Sequence, residues 1–377
     1  MKSHPQILML TPEYPPNIQG GIGRHVQGLV PELTKLTAGL NIVTAPYKDS
    51  LQYEALDTGI RLHRPKLEGS FSSVVEWVLQ LNLSYIHFVH SLKMDFDIIH
   101  VHDWLTAPAG MALKEYYGVP LAAAIHATEK GRKGILTGTA EKTIDTIERR
   151  LIQSADSIIV CSQYMQKELL YEYNGVQSTV IPNGRNLYFE ENLFTEGFYL
   201  FAMGRMVKEK GFDTLLKSFQ RVSRKLPQLQ LVLAGDGPLK EEYEKLSESL
   251  GISGQVTFKG FLNDDDLKKM LKNAIISIVP SLYEPFGLAA LESMSMKKAT
   301  IVSDAGGLKE LVKDQKSGLV FPAGNEEVLA EKIEQLISND QLRKELAEEA
   351  YRKSLQYSWE HSAQKTRKLY DKLLSVT

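Results

Sequence analysis

The segment IISIVPSLYEPFGLAALESMSM, residues 275–296, decides the fold because it contains one complete strand–loop–helix unit. Its first residues form an apolar run that ends at Pro280. A loop containing Glu284 follows, and Gly287 then opens a helical pattern that contains Glu292. Unalternating apolar strands are typical of parallel sheets whose two faces are both covered by helices. The segment therefore predicts an α/β fold.

The same rhythm runs through the whole chain of 377 residues. Ten further apolar runs predict strands: QILML (6–10), LNIVTA (40–45), FDIIHVH (96–102), PLAAAIH (120–126), SIIVCS (157–162), STVIP (178–182), FYLFAMG (198–204), LQLVLAG (229–235), QVTFKG (255–260) and ATIVSD (299–304). Helical patterns separate them, as at Asp213–Leu226, Leu239–Leu250 and Glu326–Ile337. A single sheet of eleven strands is larger than twisted sheets usually are. We therefore predict two doubly wound, Rossmann-like domains.

The polar, acidic segment Arg185–Gly197 lies between two predicted strands and is the best boundary between the domains. We predict an N-terminal domain over residues 1–190, a C-terminal domain over 191–355 and a final amphipathic helix over 356–377. Ligands of open α/β sheets bind beyond the carboxyl ends of the strands. We therefore expect the chemistry in a cleft that the two domains enclose.

Composition excludes several classes of function. The net charge of −2 provides no general attraction to nucleic acid or to anionic lipid. Cys161 is the single cysteine, which excludes an intrachain disulfide and fits a reducing compartment. The N-terminus lacks the apolar core of a signal peptide, and no apolar run is long enough to span a membrane. The most apolar segment, Val74–Leu92, is interrupted by polar residues and predicts an amphipathic helix. These features predict a cytoplasmic protein, although peripheral membrane contact is left open.

The helix that begins after Gly287 is a candidate anion site because a helix N-terminus presents unpaired backbone N–H groups. A carboxylate just before it, Glu284, would suit sugar hydroxyls, and Glu292 farther along would suit the ribose of a nucleotide. The alternative is that Glu284 only caps the helix and that Glu292 is exposed on its surface.

A second cluster of candidate residues follows the strand at 198–204. Arg205 and Lys210 could together neutralise a diphosphate, since arginine offers a planar fork and lysine a mobile point charge. The alternative is an ordinary solvated turn, which we expect for the neighbouring Lys208 and Glu209.

Polar residues also follow two strands of the first half. One strand end carries His100, His102, Asp103 and Trp104, and the next carries His126, Glu129 and Arg132. The His-x-His pattern suggests a metal, but zinc requires three or four ligands and no cysteine or second histidine pair is near in sequence. We therefore predict no metal and no cofactor, and we interpret His100 as a hydrogen-bonded core histidine.

Three other motifs have simpler interpretations. The acidic run NDDDLKKML, residues 263–271, predicts a helix with Asn263 as its N-cap rather than a metal site. Tight turns alone could explain Gly306 and Gly307, although a ligand could also approach there. The loop in TPEYPPNIQGGIGRHVQGL, residues 11–29, has one residue too many after Gly23 to match the dinucleotide fingerprint G-x-G-x-x-G.

Six motifs in the same order resemble the retaining nucleotide-sugar glycosyltransferases of family 4, which have the GT-B fold, with a leaning toward glycogen-synthase-like and sucrose-synthase-like members. They are EYPPNIQGGIGRHV (13–26), HVHDWLTA (100–107) with HATEKGR (126–132), GRMVKEKG (204–211), PSLYEPFGLAALESM (280–294), SDAGGLKELV (303–312) and YSWEHSAQKTRKLY (357–370). The resemblance covers nearly the whole chain, and it implies that the final helix crosses back to the first domain.

The resemblance also implies roles for individual residues. Arg205 and Lys210 would bind the donor diphosphate and stabilise the leaving group, with Gly21 allowing close approach to the phosphates. Glu292 would hold the ribose. The transferred sugar would contact Glu284, the backbone at Gly287 and Leu288, and His126. Asp103 and Arg132 would line the acceptor side.

The implied reaction transfers a sugar, with glucose expected, from a UDP- or ADP-sugar to a hydroxyl of a glycan, lipid or small molecule. The configuration would be retained and no metal used. The chain is short for a bacterial glycogen synthase, and Arg185 and Asn186 replace the aliphatic residue and aspartate that relatives usually carry; both departures weigh against a glucan acceptor. The alternatives are an inactive nucleotide-sugar-binding protein of the same fold and, less favoured, a phosphorylase or epimerase.

Overall fold

The computed structural model describes residues 4–48, 50–56, 59–186, 189 and 197–376. The chain forms two compact units, which we call unit 1 (Met1–Gly184 with Ser358–Thr377) and unit 2 (Arg185–Tyr357). Much of the predicted linker, residues 187–188 and 190–196, lies outside the described residues.

Unit 1 is an α/β unit built on an eight-stranded sheet. Its elements are β1 (Gln6–Thr11), α1 (Gly21–Thr34), β2 (Gly39–Thr44), β3 (Tyr53–Leu56), β4 (Ile60–His63), α2 (Val74–Ser91), β5 (Ile98–His102), α3 (Ala107–Tyr117), β6 (Leu121–Ile125), α4 (Glu129–Lys133), α5 (Thr139–Ser154), β7 (Ser157–Val160), α6 (Gln163–Glu172) and β8 (Thr179–Val180). The strand order is β3-β4-β2-β1-β5-β6-β7-β8, and only the β3–β4 pair is antiparallel. The strand order reverses between β1 and β5, which is where ligands of such sheets bind.

Unit 2 is built in the same way on six parallel strands. Its elements are β9 (Tyr199–Met203), α7 (Phe212–Ser223), β10 (Gln230–Ala234), α8 (Lys240–Ser249), β11 (Val256–Phe258), α9 (Asp264–Asn273), β12 (Ile276–Val279), α10 (Leu288–Ser295), β13 (Thr300–Ser303), α11 (Leu308–Leu311), β14 (Leu319–Phe321), α12 (Glu326–Ser338) and α13 (Asp340–Ser354). The strand order is β11-β10-β9-β12-β13-β14, so the reversal lies between β9 and β12.

The predicted α/β class is confirmed, and each of the eleven apolar runs overlaps a strand. Asn263 caps α9 as predicted, since its side chain accepts a hydrogen bond from the backbone N–H of Asp266 at 2.9 Å. The amphipathic helix predicted at Val74–Leu92 is α2, with Val78 and Tyr85 buried and Leu83 exposed. Among the described residues, no helix combines the length and apolarity that a membrane span requires.

The last helix, α14 (Trp359–Val376), follows unit 2 in sequence but belongs to unit 1. Trp359 and Tyr370 are buried in the core of unit 1 together with residues of β1 and α1. A Cβ atom at Gly28 of α1 would lie 2.1 Å from the Trp359 ring, so only glycine lets this indole pack against the helix.

We expect Gly28→Ala to destabilise the protein. Alanine favours helices over glycine by about 1 kcal/mol, but the clash with a buried ring costs about 1–3 kcal/mol, so the free energy of unfolding should fall. Gly254→Ala is the matched control, because a Cβ there meets no atom within 4 Å. Urea unfolding of both variants measures the difference, and equal stabilities would contradict the packing described.

Candidate active site

Unit 2 brings a lysine and a glutamate together at the point where its strand order reverses. Lys210 follows β9 and Glu284 follows β12, and the two strands are neighbours in the sheet. The Lys210 Nζ lies 2.7 Å from Glu284 Oε2, to which the Ser281 hydroxyl also donates at 3.2 Å. Arg205, between β9 and Lys210, is exposed. The predicted cations and the first predicted glutamate therefore occur at one edge of the sheet.

Glycine at position 211 allows these two loops to touch. Gly211 has a φ of 65°, and a Cβ there would lie 2.1 Å from the backbone oxygen of Pro280. Beside it, the backbone N–H of Leu282 donates to the carbonyl oxygen of Glu209 at 2.7 Å. Backbone contacts between the two loops, as well as the attraction of opposite charges, therefore hold Lys210 next to Glu284.

The predicted helix N-terminus is that of α10, which begins at Leu288. Gly287, at its N-cap, has a φ of 106°, and a Cβ there would lie 2.7 Å from Leu308 Cδ2. The first backbone N–H groups of a helix have no partner inside it. Because Glu284 lies three residues before this cap, a carboxylate, two cations and a helix N-terminus belong to adjoining loops of one unit.

Glu292 does not lie on the helix surface, so the alternative of an exposed helix glutamate is wrong. It is only 5% exposed. The Nδ2 of Asn186 lies 3.5 Å from Glu292 Oε1. An amide in that position can donate to the carboxylate, whereas the aspartate expected from the resemblance would place two like charges together.

The loop after β13 closes on the Glu284 loop. The backbone N–H of Gly307 donates to the carbonyl oxygen of Glu284 at 2.8 Å, and a Cβ on Gly307 would lie 2.4 Å from the carbonyl oxygen of Pro285. Close backbone packing is therefore sufficient to explain the glycine at this position.

In unit 1 the glycine-rich loop leads into α1 at the reversal of the strand order. The Glu13 carboxylate accepts backbone hydrogen bonds from Gln19 at 2.8 Å and from Gly20 at 3.1 Å. A Cβ on Gly23 would lie 2.5 Å from that carboxylate, whereas a Cβ on Gly21 would meet no atom within 4 Å. Gly23 is therefore needed for the loop itself, and the space around Gly21 is open, as its proposed contact with phosphate requires.

Histidines that are far apart in sequence meet beside this loop. His25 comes from α1, His102 ends β5 and His126 follows β6. The His102 and His126 rings are stacked, and the His25 ring meets that of His126 edge to face at 4.6 Å between centroids. The prediction of no metal was argued from the lack of nearby ligands in the sequence. The fold brings two further histidines, His25 and His126, next to His102, so that argument no longer holds. The prediction of no metal itself stays untested.

His100 is buried as predicted but is only partly hydrogen-bonded. Its Nδ1 lies 2.6 Å from the hydroxyl of Tyr370, while its Nε2 has no hydrogen-bond partner among the described residues. Burial lowers the pKa of His100 and His25 to about 3 and that of His126 to about 4, and it holds the pKa of His102 well below its usual value. All four rings are therefore neutral near pH 7.

Asp103, which the resemblance places on the acceptor side, is buried and hydrogen-bonds to backbone. Its Oδ1 accepts from the backbone N–H of His126 at 2.6 Å, and Arg132 Nη2 lies 4.0 Å from its Oδ2. Its φ of 55° is unusual for a residue other than glycine. Burial raises the pKa of Asp103 to about 6, although Arg132 opposes that rise. This geometry fits a residue that positions His126.

Glu148 was missed because a glutamate in the amphipathic helix α5 looks exposed in the sequence. It is 1% exposed, and both carboxylate oxygens accept from the backbone N–H of Glu129 at 3.0 Å. The Tyr173 hydroxyl donates to Oε2 at 3.2 Å. Glu148 therefore anchors the first turn of α4, the short helix that carries Arg132.

Glu148 should make stability depend on pH, because burial raises its pKa from 4.5 to about 8. Its contribution is fully present below pH 4.5 and is lost as the pH rises through 8, by about 1.4 kcal/mol per pH unit inside that window. We expect Glu148→Gln to gain stability relative to the unmodified protein as the pH rises from about 5 to about 8. Urea unfolding at both values tests this, and a constant difference would contradict the assignment.

Comparison with known proteins shows which family the chain belongs to. Residues 19–188 match the model described as Glycosyltransferase Family 4, and residues 185–353 match that described as Glycosyl transferases group 1. The glycosyltransferase YqgM of Bacillus subtilis is 34% identical over 317 residues, which is 83% of this chain and 82% of that protein. The chain belongs to glycosyltransferase family 4. The family predicted from the six motifs is therefore confirmed.

Other similarities of this glycosyltransferase agree with the predicted leaning and fold. A glycogen synthase of Mycobacterium tuberculosis is 28% identical over 390 residues, which is 97% of this chain and 94% of that protein. The structure of Anabaena HepE in complex with UDP-glucose matches with a TM-score of 0.78 at 19% identity, over 98% of this chain and all of that chain. The fold is GT-B, as predicted.

Proposed function

We propose that this glycosyltransferase transfers a hexose, with glucose expected, from a UDP- or ADP-sugar to an acceptor hydroxyl. The acceptor is a glycan, a lipid or a small molecule, and the configuration of the sugar is retained. The observation that carries the proposal is the Lys210–Glu284 pair beside the N-terminus of α10. Cations and a helix N-terminus suit a diphosphate, and a carboxylate beside them suits sugar hydroxyls.

In this proposal unit 2 binds the donor. Lys210 and Arg205 bind the diphosphate and stabilise the negative charge that grows on it as the glycosidic bond breaks. Lys210 leaves Glu284 for the phosphate, which frees the carboxylate to accept hydrogen bonds from the sugar. Buried Glu292 accepts hydrogen bonds from the ribose, with Asn186 holding its other side. The backbone at Gly287 and Leu288 completes the donor contacts.

Unit 1 contributes the remaining groups. A neutral His126 contacts the transferred sugar, Gly21 leaves room for phosphate, and Arg132 faces the acceptor. Asp103 positions His126 through the backbone. The basic residues can balance the leaving group without a metal or cofactor, so we propose metal-independent transfer. The single cysteine and the net charge support a cytoplasmic enzyme that does not act on nucleic acid.

HepE, whose structure has been determined with UDP-glucose, supports the choice of a UDP-sugar as the first donor to test. The experiment is a thermal-shift panel of UDP-, ADP- and GDP-sugars followed by assays of nucleoside diphosphate release with an acceptor series. A ligand at one hundred times its dissociation constant adds about 2.7 kcal/mol of apparent stability. We expect one donor class to stabilise the protein and to be turned over. Binding without turnover across the series would favour an inactive sugar-nucleotide-binding protein, and release of free sugar without acceptor would indicate an epimerase.

A further inference from the structure

Three histidines of unit 1 form what we call the histidine cluster: His25, His102 and His126. Each offers one ring nitrogen, and the three nitrogens lie within 4.8 Å of one another. Ligand nitrogens around a tetrahedral Zn²⁺ lie roughly 3.4 Å apart, since Zn–N bonds are about 2.0–2.1 Å. Small side-chain shifts would therefore bring the cluster to the spacing of a metal site.

Two nitrogens of the cluster have unused lone-pair or hydrogen-bonding capacity. The Nε2 atoms of His25 and His102 are buried and have no hydrogen-bond partner among the described residues. A buried polar atom without a partner costs about 1–3 kcal/mol, so its presence calls for an explanation. A cation bound through His25 Nε2 would supply the missing partner of that atom.

Asn183 orients His25 in the way that metal-binding histidines are usually oriented. The Asn183 Oδ1 lies 2.7 Å from His25 Nδ1. Because an amide oxygen only accepts, this contact places the proton on Nδ1 and leaves the lone pair on Nε2. Histidine ligands commonly donate from their second nitrogen to such an oxygen, which fixes the ring and its tautomer.

The other two histidines share one proton. His102 Nδ1 lies 3.0 Å from His126 Nε2, so one of these nitrogens donates to the other. When His126 Nε2 carries this proton, moving it to Nδ1 of the same partly exposed ring frees the lone pairs of His126 Nε2 and His102 Nδ1 without changing the charge of either ring. Three neutral imidazoles suit Zn²⁺, Co²⁺, Ni²⁺ or Cu²⁺, whereas Mg²⁺ and Ca²⁺ prefer oxygen ligands.

We propose that His25, His102 and His126 bind a single transition metal ion of the Zn²⁺ class, and that the bound ion slows the transferase. The second half of this inference rests on the proposed function, because it uses the role of His126 toward the sugar. A metal ligated by His126 Nε2 removes that nitrogen from the substrate. The ion is therefore an inhibitor at this site, while the transfer chemistry itself stays metal-independent.

The test is equilibrium dialysis of the chelator-stripped full chain against Zn²⁺, with visible absorption of the Co²⁺ form as a second readout of histidine ligation. His25→Gln removes one ligand. Asn183→Ala keeps all three ligands and removes the orienting contact. The control is the double variant His87→Ala/His90→Ala, which removes two exposed histidines from the surface of α2.

We expect one equivalent of Zn²⁺ to bind to the unmodified protein and to the α2 control. Asn183→Ala should bind about 10- to 100-fold more weakly, and His25→Gln at least as weakly. The site would be overturned if the unmodified protein bound no stoichiometric Zn²⁺. It would also be overturned if both site variants kept the binding and the α2 control lost it. If His25→Gln does not fold, judged by circular dichroism, the Asn183→Ala result and the Co²⁺ spectrum decide.

Nucleoside diphosphate release separates this inference from the proposed function. Zn²⁺ should slow release, a chelator should restore it, and His25→Gln should respond less to Zn²⁺ than the unmodified enzyme. Inhibition that is equal in both would overturn the inhibitory role. Release without Zn²⁺ binding would refute the metal site alone, and Zn²⁺ binding without release from any donor would refute the proposed function while leaving the site intact.

Discussion

Lys210→Ala is expected to lower the rate of nucleoside diphosphate release about 100- to 1000-fold, which is the usual effect of removing one group that stabilises charge in a transition state. Lys210 lies 2.7 Å from Glu284, and in the proposed mechanism its ammonium meets charge that grows on the phosphate only as the glycosidic bond breaks. The loss should therefore fall mainly on kcat. Steady-state kinetics with the donor identified by thermal shift measures it.

Lys208→Ala provides the matched control, because Lys208 lies in the same short turn, is exposed and has no assigned role. It should retain close to full activity. Equal turnover of the Lys210→Ala variant and the unmodified enzyme would remove the leaving-group role assigned to this lysine. Equal losses in both lysine variants would instead indicate that the turn acts only through its net charge.

Gly211→Ala should reduce both stability and activity, since it separates the two loops that bring Lys210 to Glu284. The added Cβ would lie 2.1 Å from a backbone oxygen, which cannot move as a flexible side chain does. We expect a loss of about 1–3 kcal/mol in the free energy of unfolding beyond the cost of the left-handed backbone. A displacement near 1 Å at reacting groups can lower rates about 100-fold.

The control for this variant is Gly260→Ala. Gly260 has a φ of 66°, nearly the same as the 65° of Gly211, but a Cβ there meets no atom within 4 Å. The backbone strain is therefore matched and only the clash differs. Urea unfolding and donor turnover of both variants give the comparison. Similar results for the two would show that close packing of the loops is unimportant.

The sequence was most informative where one local segment carries both structure and chemistry. In residues 275–296 an apolar strand, a loop glutamate and a helix-opening glycine are adjacent in the chain, so β12, Glu284 and α10 could be predicted without knowing the fold. Lys210 and Glu284 could also be placed beyond the carboxyl ends of parallel strands, but their pairing could not be predicted. That these two strands are neighbours could not be read from the sequence.

Local sequence patterns did not predict the contacts between residues that are far apart in the chain. His25, His102 and His126 meet only because β1, β5 and β6 are neighbours in the sheet, so the cluster appears as isolated histidines in sequence. Glu148 lies in a helix with an ordinary polar pattern, and its burial depends on α4 packing above it. Three strands were also missed: β3 is mostly exposed and β4 contains an exposed arginine, so neither shows a strong apolar run, and β14 has only three residues.

The placement of α14 has a consequence for the order in which the chain can fold during synthesis. Unit 2 is one continuous segment and emerges from the ribosome whole. Unit 1 emerges first, yet it lacks Trp359 and Tyr370 until after unit 2 has been made. The N-terminal unit therefore completes its hydrophobic core last, and loss of the final helix would expose apolar surface on the unit that was synthesised first.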